Sequence, residues 1–377
     1  MKTLVKFNDL SLPNKWSQLE PSIMAVVEQQ KYILGPNVQA FEHAFCQYEY
    51  DGQIPGVIGV ASGTDALEIA FDALVHVKGW ELRDVSIISV ANSAPATLTP
   101  FLRRNISVEF CDVDQSGLMD MSDLKKMLLR HAGTDSKVVI LPVDLYGQIV
   151  DVRNIKIMAE EILSPSQYII IQDSAQGSGI RKRILFADAA CFSFYPTKNL
   201  GAIGDGGAIA FQSNYALEAG KMLRMYGYGK HAHTQELLGY NSRLDEMQAA
   251  ILLNKLRHLD EMNGLRKEIA NIYDAGLNEL IKVPRGYTNN HIYPILVWGR
   301  DMVQEKLLDA GIETGIHYPV PTWRQPFYQN SEARAYCNSA LTLTKYFCDH
   351  ELSLPIWPGM SELQARYVVD HVNKAIA

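Results

Sequence analysis

Two stretches decide the fold: Tyr168-Ile-Ile-Ile-Gln-Asp173-Ser-Ala-Gln176 and Phe192-Ser193-Phe-Tyr-Pro-Thr-Lys198. The first opens on an unbroken apolar run, YIII, too short for a helix of ordinary length. A strand wetted on one side would alternate apolar with polar residues, so this run reads as a strand covered on both faces. The run ACFSF at 190–194 repeats the pattern one connection later. The first strand ends in Asp173; the second ends in Ser193, with Lys198 just beyond it. In open α/β sheets the carboxyl ends of the strands are the edge where ligands bind. An acid and an amine therefore leave neighbouring strands at the binding edge.

Working outward, VSIISV (Val85–Val90), SVEFC (Ser107–Cys111) and VVILPV (138–143) are further short β-rich runs. Helical patterns lie between them at 65–74, 121–129 and 152–162. Strand–helix alternation predicts a mostly parallel sheet with helices on both sides. Near residue 240 the texture changes. Ser242 with Asp245 reads as a capping box for a long amphipathic helix. Short strands are expected at 291–297 and 312–319, and a last helix from Ser361. We expect a large domain over 1–250 and a smaller α+β domain over 251–377.

The 377 residues carry 35 basic and 42 acidic side chains, a net charge of −7. That balance, with Arg181-Lys182-Arg183 as the longest basic cluster, excludes nucleic acid as the expected partner. No apolar run is long enough for a membrane span. The start becomes polar too soon for a secretory leader. Five cysteines (Cys46, Cys111, Cys191, Cys337, Cys348) form no CxxC pair, so free thiols in a reducing cytoplasm are expected.

An acid and a lysine at one sheet edge suit pyridoxal phosphate. The amine condenses with its aldehyde, and the carboxylate keeps its ring nitrogen protonated so that the ring accepts electrons. The same two side chains could form a structural ion pair with no ligand, so the reading draws on other segments. Ala61-Ser62-Gly63-Thr64-Asp65 precedes a helix and offers a phosphate cradle, or merely a capped helix start. Gly201-Ala-Ile-Gly-Asp-Gly-Gly207 gives the lysine loop room for tight turns, or is a glycine-rich hairpin.

Together with Tyr32-Ile-Leu-Gly-Pro36, Phe41-Glu42, Ser62-Gly-Thr-Asp-Ala-Leu67, Asp144-Leu-Tyr-Gly-Gln148, Asn241-Ser-Arg-Leu-Asp-Glu246, His317-Tyr-Pro319 and Leu352-Ser-Leu-Pro355, these motifs run along nearly the whole chain. The sequence resembles the DegT/DnrJ-type nucleotide-sugar aminotransferases. That resemblance implies the aspartate-aminotransferase fold (fold type I), with a central mostly parallel seven-stranded sheet and pyridoxal 5'-phosphate as cofactor. It makes Lys198 the Schiff-base lysine, pairs Asp173 with the ring nitrogen, and sets Gln176 beside the ring hydroxyl. Gly63, Thr64 and Ser193 would hold the phosphate. Asn241 would complete the phosphate site of a second subunit, so a homodimer with shared active sites is implied. Glutamate would be the donor and a nucleotide-linked keto-deoxysugar the acceptor, with His317, Tyr318 and Tyr32 as substrate contacts.

Ile316-His-Tyr-Pro-Val-Pro321 most resembles the branch that aminates C3 of dTDP-3-keto-6-deoxyhexoses. Three positions depart from the pattern. Trp323 stands where that branch has histidine. Ala94 stands where the family stacks an aromatic ring on the cofactor, a contact worth about 1 kcal/mol beyond its area. Gln172 replaces a usual glutamate and is expected to remove a negative charge beside the ring. Amination at C4, a free amino acid or ketoacid as substrate, and a non-catalytic regulatory relative on the same fold are the alternatives.

Overall fold

The computed structural model describes residues 5–231, 233–329, 335–336 and 340–377. The apolar runs become strands: β1 (Gly56–Val60), β2 (Val85–Val90), β3 (Ser107–Cys111), β4 (Lys137–Leu141), β5 (Tyr168–Asp173), β6 (Ala189–Ser193) and β7 (Gly207–Phe211). They form one sheet in the order β1-β7-β6-β5-β4-β2-β3. The next strands along the chain are β8 (Tyr293–Leu296), β9 (Ala335–Tyr336) and β10 (Glu351–Leu354). The two-residue β9 extends the large sheet beside β3, and β8 and β10 form a separate antiparallel pair. β7 runs antiparallel to both its neighbours, and the remaining pairs of the large sheet are parallel. This is the mostly parallel α/β sheet that the resemblance implies.

Alternation along each strand splits the core into two apolar layers. Tyr168 and Ile170 of β5 and Ala190 and Phe192 of β6 face one layer, whereas Ile169, Ile171, Ala189 and Cys191 face the other. Of the helices, α1 (Trp16–Gln29) and α2 (Pro36–Tyr50) precede the sheet, α3 (Gly63–Lys78) follows β1, and α4 (Pro95–Leu102) follows β2. Phe41 and Phe45 of α2 enter the first layer, and Phe71 of α3 and Phe101 of α4 enter the second. A third cluster gathers Val5, Ile269, Tyr273, Tyr293, Leu352 and Val368 around β8 and β10.

Several local expectations change. The helix Glu246–Leu256 is capped by Asp245, whose carboxylate accepts the Gln248 N–H at 2.7 Å. Ser242 serves elsewhere: its hydroxyl donates to Asp65 at 2.6 Å and accepts the Ala61 N–H at 3.1 Å. No strand forms over 312–319; that segment makes isolated bridges instead, Ile312 to Val5 and Gly315 to Ser353. Ser361 does cap the last helix, Glu362–Ile376, through a full capping box. Cys46, Cys111, Cys191 and Cys348 are buried free thiols, and Cys337 lies outside the described residues. Among the described residues no helix is long and apolar enough to cross a membrane.

Phe192 holds the end of β6 in place, edge-on to Phe45 at 5.0 Å and beneath the Arg183 guanidinium at 4.7 Å. Phe192→Ala leaves a void beside a buried charge. It is expected to lower stability by about 3–5 kcal/mol, read from the shift in a urea unfolding curve.

Candidate active site

Strand register builds the site. Asp173 is level with Cys191 across β5 and β6, and Ser193 is level with Gly207 across β6 and β7. Gly207 is in turn level with Val60 at the end of β1. The chain leaving β1 therefore brings Ser62 and Gly63 against Ser193. Space is so tight that a Cβ on Gly63 would sit 2.7 Å from the Ser193 Cβ, and one on Gly207 would sit 2.3 Å from the Ser62 carbonyl oxygen. Only glycine fits at either place. Ser62 caps α3 by accepting the Asp65 N–H at 3.1 Å, which leaves Gly63 and Thr64 at the positive end of a 16-residue helix.

A cavity of ≈ 260 Å3 opens at this edge, lined by Gly63, Thr64, Asp173, Gln176, Ser193 and Lys198. These are six residues expected from sequence. Tyr318, a seventh, lines it too. Asp173 is buried; its Oδ2 accepts the Thr97 hydroxyl at 2.7 Å and its Oδ1 accepts the Ala175 N–H at 3.0 Å. Burial still raises its pKa above the usual carboxylate value, with those hydrogen bonds and the Lys198 charge pulling the other way. Lys198 is pushed down to about 8, because its surroundings exclude water; the Asp173 charge opposes that shift. A neutral amine is the nucleophilic form, so this environment activates the lysine.

Gln176 is fixed at both ends. Its side-chain oxygen accepts the Tyr146 N–H at 2.6 Å and its amide donates to the Tyr318 hydroxyl at 3.1 Å. His317 lines an adjacent cavity with Thr197 and His291 rather than this one. Asn241 and Tyr32 are exposed and do not line the cavity of this chain. The Tyr32 carbonyl accepts the Glu246 N–H at 3.0 Å, and Asn241 bridges to Met225.

The three departures resolve differently. Gln172 does not stand beside the cavity: neighbours on a strand face opposite sides, and its amide donates to both Asp144 carboxylate oxygens at 2.9 and 3.0 Å. The expected loss of charge beside the ring is therefore not what this substitution does. Ala94 does line the cavity, at the start of α4, and the aromatic side chains lining it are Tyr195 and Tyr318. Trp323 packs on Phe110 with ring centroids 5.6 Å apart, next to the second apolar layer. Thr97 was not singled out in the sequence; its position one helical turn beyond Ala94 is the signal that could have found it.

Pyridoxal phosphate fits this donor set. The helix N-terminus at Gly63 and Thr64 opens on the cavity where a phosphate would sit, a buried carboxylate would meet a protonated ring nitrogen, and the Lys198 amine shares the cavity.

Comparison with known proteins agrees with that chemistry. Residues 17–373 match the DegT/DnrJ/EryC1/StrS aminotransferase family. The chain is 32% identical to a "Pleiotropic regulatory protein" of Geobacillus stearothermophilus, over 96% of each chain. It is 33% identical to a dTDP-3-amino-3,4,6-trideoxy-alpha-D-glucose transaminase of Streptomyces venezuelae, covering 95% of this chain and 92% of that protein. Among solved structures, S. venezuelae DesV in complex with a ketimine intermediate superposes with a TM-score of 0.86 at 30% identity, over 98% of both chains.

An amine-selective reagent applied to the cofactor-free protein should label Lys198 with a midpoint near pH 8, well below the ordinary lysine value of about 10.4. Because the Asp173 charge holds the lysine's pKa up, Asp173→Asn should move that midpoint lower still, as read by peptide mass spectrometry across pH.

Proposed function

The chain belongs to the DegT/DnrJ/EryC1/StrS aminotransferase family, and from that premise we propose that it moves an amino group from glutamate to C3 of a dTDP-linked 3-keto-6-deoxyhexose. It is a pyridoxal-phosphate-dependent sugar aminotransferase. The observation that carries the reading is one cavity holding a deprotonable lysine, a buried carboxylate and a glycine-lined helix start. The 33% identity to the S. venezuelae transaminase supports the dTDP-linked sugar and the C3 position.

When bound, pyridoxal 5'-phosphate supplies an aldehyde for amines to condense with and a ring that accepts the electrons of a breaking C–H bond. Lys198 supplies the competing amine and, once displaced, would carry a proton between the nitrogen-bearing carbon of whichever substrate is bound and the cofactor's aldehyde carbon. Asp173, aligned by Thr97, holds the ring-nitrogen proton. Gln176 holds the ring hydroxyl. Gly63, Thr64 and Ser193 grip the phosphate. Tyr318 and His317 meet the sugar, and the exposed Tyr32 meets the nucleotide-sugar.

Asn241 is exposed and does not line the cavity of its own chain, which supports its service to a second copy and hence a homodimer with shared sites. We also propose a division near residue 250 into a cofactor domain and a smaller C-terminal domain, supported by the separate apolar cluster around β8 and β10. A cytoplasmic address is proposed on the buried free thiols. The regulatory reading has one observation in its favour, the name of the Geobacillus relative. Retention of both Lys198 and Asp173 in one cavity weighs against it.

A panel of dTDP- and UDP-linked 3-keto and 4-keto sugars, each with glutamate, tests the proposal. Turnover should be greatest with the dTDP-3-keto-6-deoxyhexose and undetectable with Lys198→Ala; preference for a 4-keto sugar would overturn the C3 assignment. Mixing Lys198→Ala with Asn241→Ala subunits should restore about a quarter of wild-type activity, since half the dimers formed carry one intact site. Neither variant alone should do so.

A further inference from the structure

Behind the substrate-facing histidine lies a fully buried carboxylate that the chemistry above does not use. Glu351 and Ser353 project from the same face of β10, and both are 0% exposed. The Glu351 Oε2 accepts the backbone N–H of His317 at 2.6 Å, and its Oε1 accepts the Ser353 hydroxyl at 2.5 Å. The Ser353 Oγ is in turn 2.8 Å from the His317 Nδ1. The register is secured by two backbone hydrogen bonds between Gly315 and Ser353, at 3.0 and 2.8 Å. The Tyr146 hydroxyl donates to the His317 carbonyl at 2.9 Å. Nδ1 is thereby committed to Ser353. Nε2 makes no hydrogen bond among the described residues, and the ring lines the cavity shared with Thr197, the residue before Lys198.

We propose that Glu351, Ser353 and His317 form a proton relay, in which a proton taken up at the His317 Nε2 is stored on the Glu351 Oε1 by way of the Ser353 hydroxyl. The use of the relay in turnover, though not its existence, rests on the proposed contact of His317 with substrate.

The proton balance follows from the donors and acceptors. With Glu351 ionised, the Ser353 O–H donates to Oε1, so its Oγ must accept from Nδ1–H, and Nε2 is a bare acceptor. A proton arriving at Nε2 makes the Nδ1 proton move to Oγ and the Oγ proton move to Oε1. The new state has Nε2–H, a bare Nδ1 accepting from the Ser353 hydroxyl, and a neutral Glu351. Oε2 cannot take the proton, because the His317 N–H already points at it. The imidazole is neutral in both end states.

The surroundings favour this arrangement. Burial, and then the charge of Lys198, holds the His317 pKa down at about 4, so the ring does not retain the extra proton as an imidazolium. Burial raises Glu351 to about 8, against the pull of the His317 N–H, the Ser353 hydroxyl and Arg300. At neutral pH the store is therefore mostly filled, so the relay first releases a proton from Nε2 and then takes one back; above pH 8 it empties. Other titratable groups facing the relay are Lys198 and His291 toward the ring, Glu313 across the adjacent cavity, and Tyr146, Tyr318 and Cys348 near Glu351.

Nitrogen-15 NMR of histidine-labelled, cofactor-loaded protein reads the tautomer directly, with the His317 signal assigned by its loss in His317→Gln. The Nε2–H form is expected below pH 8 and the Nδ1–H form above it. In Glu351→Gln, the side-chain carbonyl takes the His317 N–H and the amide donates to Ser353, so the ring should stay Nε2–H at every pH. A single tautomer across the titration in the wild type would overturn the relay, and this needs no variant to fold. So would a switch that persists in Glu351→Gln. Absence of sugar amination in a protein whose tautomer does switch would count against the proposed function and leave the relay standing.

Discussion

Everything at the binding edge depends on one electrostatic arrangement: the Lys198 amine and the Asp173 carboxylate enclosed in a single cavity at the ends of adjacent strands. Each is desolvated, so each is driven toward its neutral form, while the charge of its neighbour resists that drift. For the lysine, the outcome is an amine that is partly neutral near physiological pH. Other residues serve to hold the two in place. The parallel register of β5 and β6 sets their separation, Thr97 aligns the carboxylate, and the missing side chain at Gly63 lets β1 close against Ser193.

Opposite the cavity, the same strand ends rest on a buried charged network. Asp144 accepts from Gln172, from the Ser174 hydroxyl at 2.6 Å and from the Val150 N–H at 3.0 Å. Arg183 lies 3.1 Å from Glu49 and 3.8 Å from Asp144, between the rings of Tyr50 and Phe192. Such a network is not a cheap source of stability, since desolvating the charges offsets most of their attraction. Removing one member strands the others without partners, so the geometry around Asp173 is specified sharply. An amide at 172 suits this setting: it donates to Asp144, where a carboxylate would repel it.

Much of the site was legible because its residues sit at strand ends, where apolar runs stop at a charged or hydroxyl side chain. Asp173, Ser193 and Lys198 announce themselves in this way. β1 and β7 were harder, because Gly-Val-Ile-Gly-Val and Gly-Ala-Ile-Ala-Phe carry glycines that read as turns; here those glycines allow close approach of neighbouring chains within a sheet. The placement of Gln172 required strand alternation to be applied to a single residue, and the motif pattern alone pointed it the wrong way. The Glu351–Ser353–His317 chain was beyond sequence reading altogether. It links positions 34 residues apart through a strand pairing between Gly315 and Ser353 that no periodicity marks.

The central claim is that Lys198, with Asp173 holding the cofactor's ring-nitrogen proton, would move the proton on the donor's α-carbon. Exchange of deuterium from α-deuterated glutamate into water, with cofactor present and no sugar acceptor, measures that step alone. Wild-type protein should wash out the label, Asp173→Asn should do so at least a hundredfold more slowly (about 2.7 kcal/mol of lost transition-state stabilisation), and Lys198→Ala should retain it. Equal washout by Lys198→Ala and wild type would contradict the account.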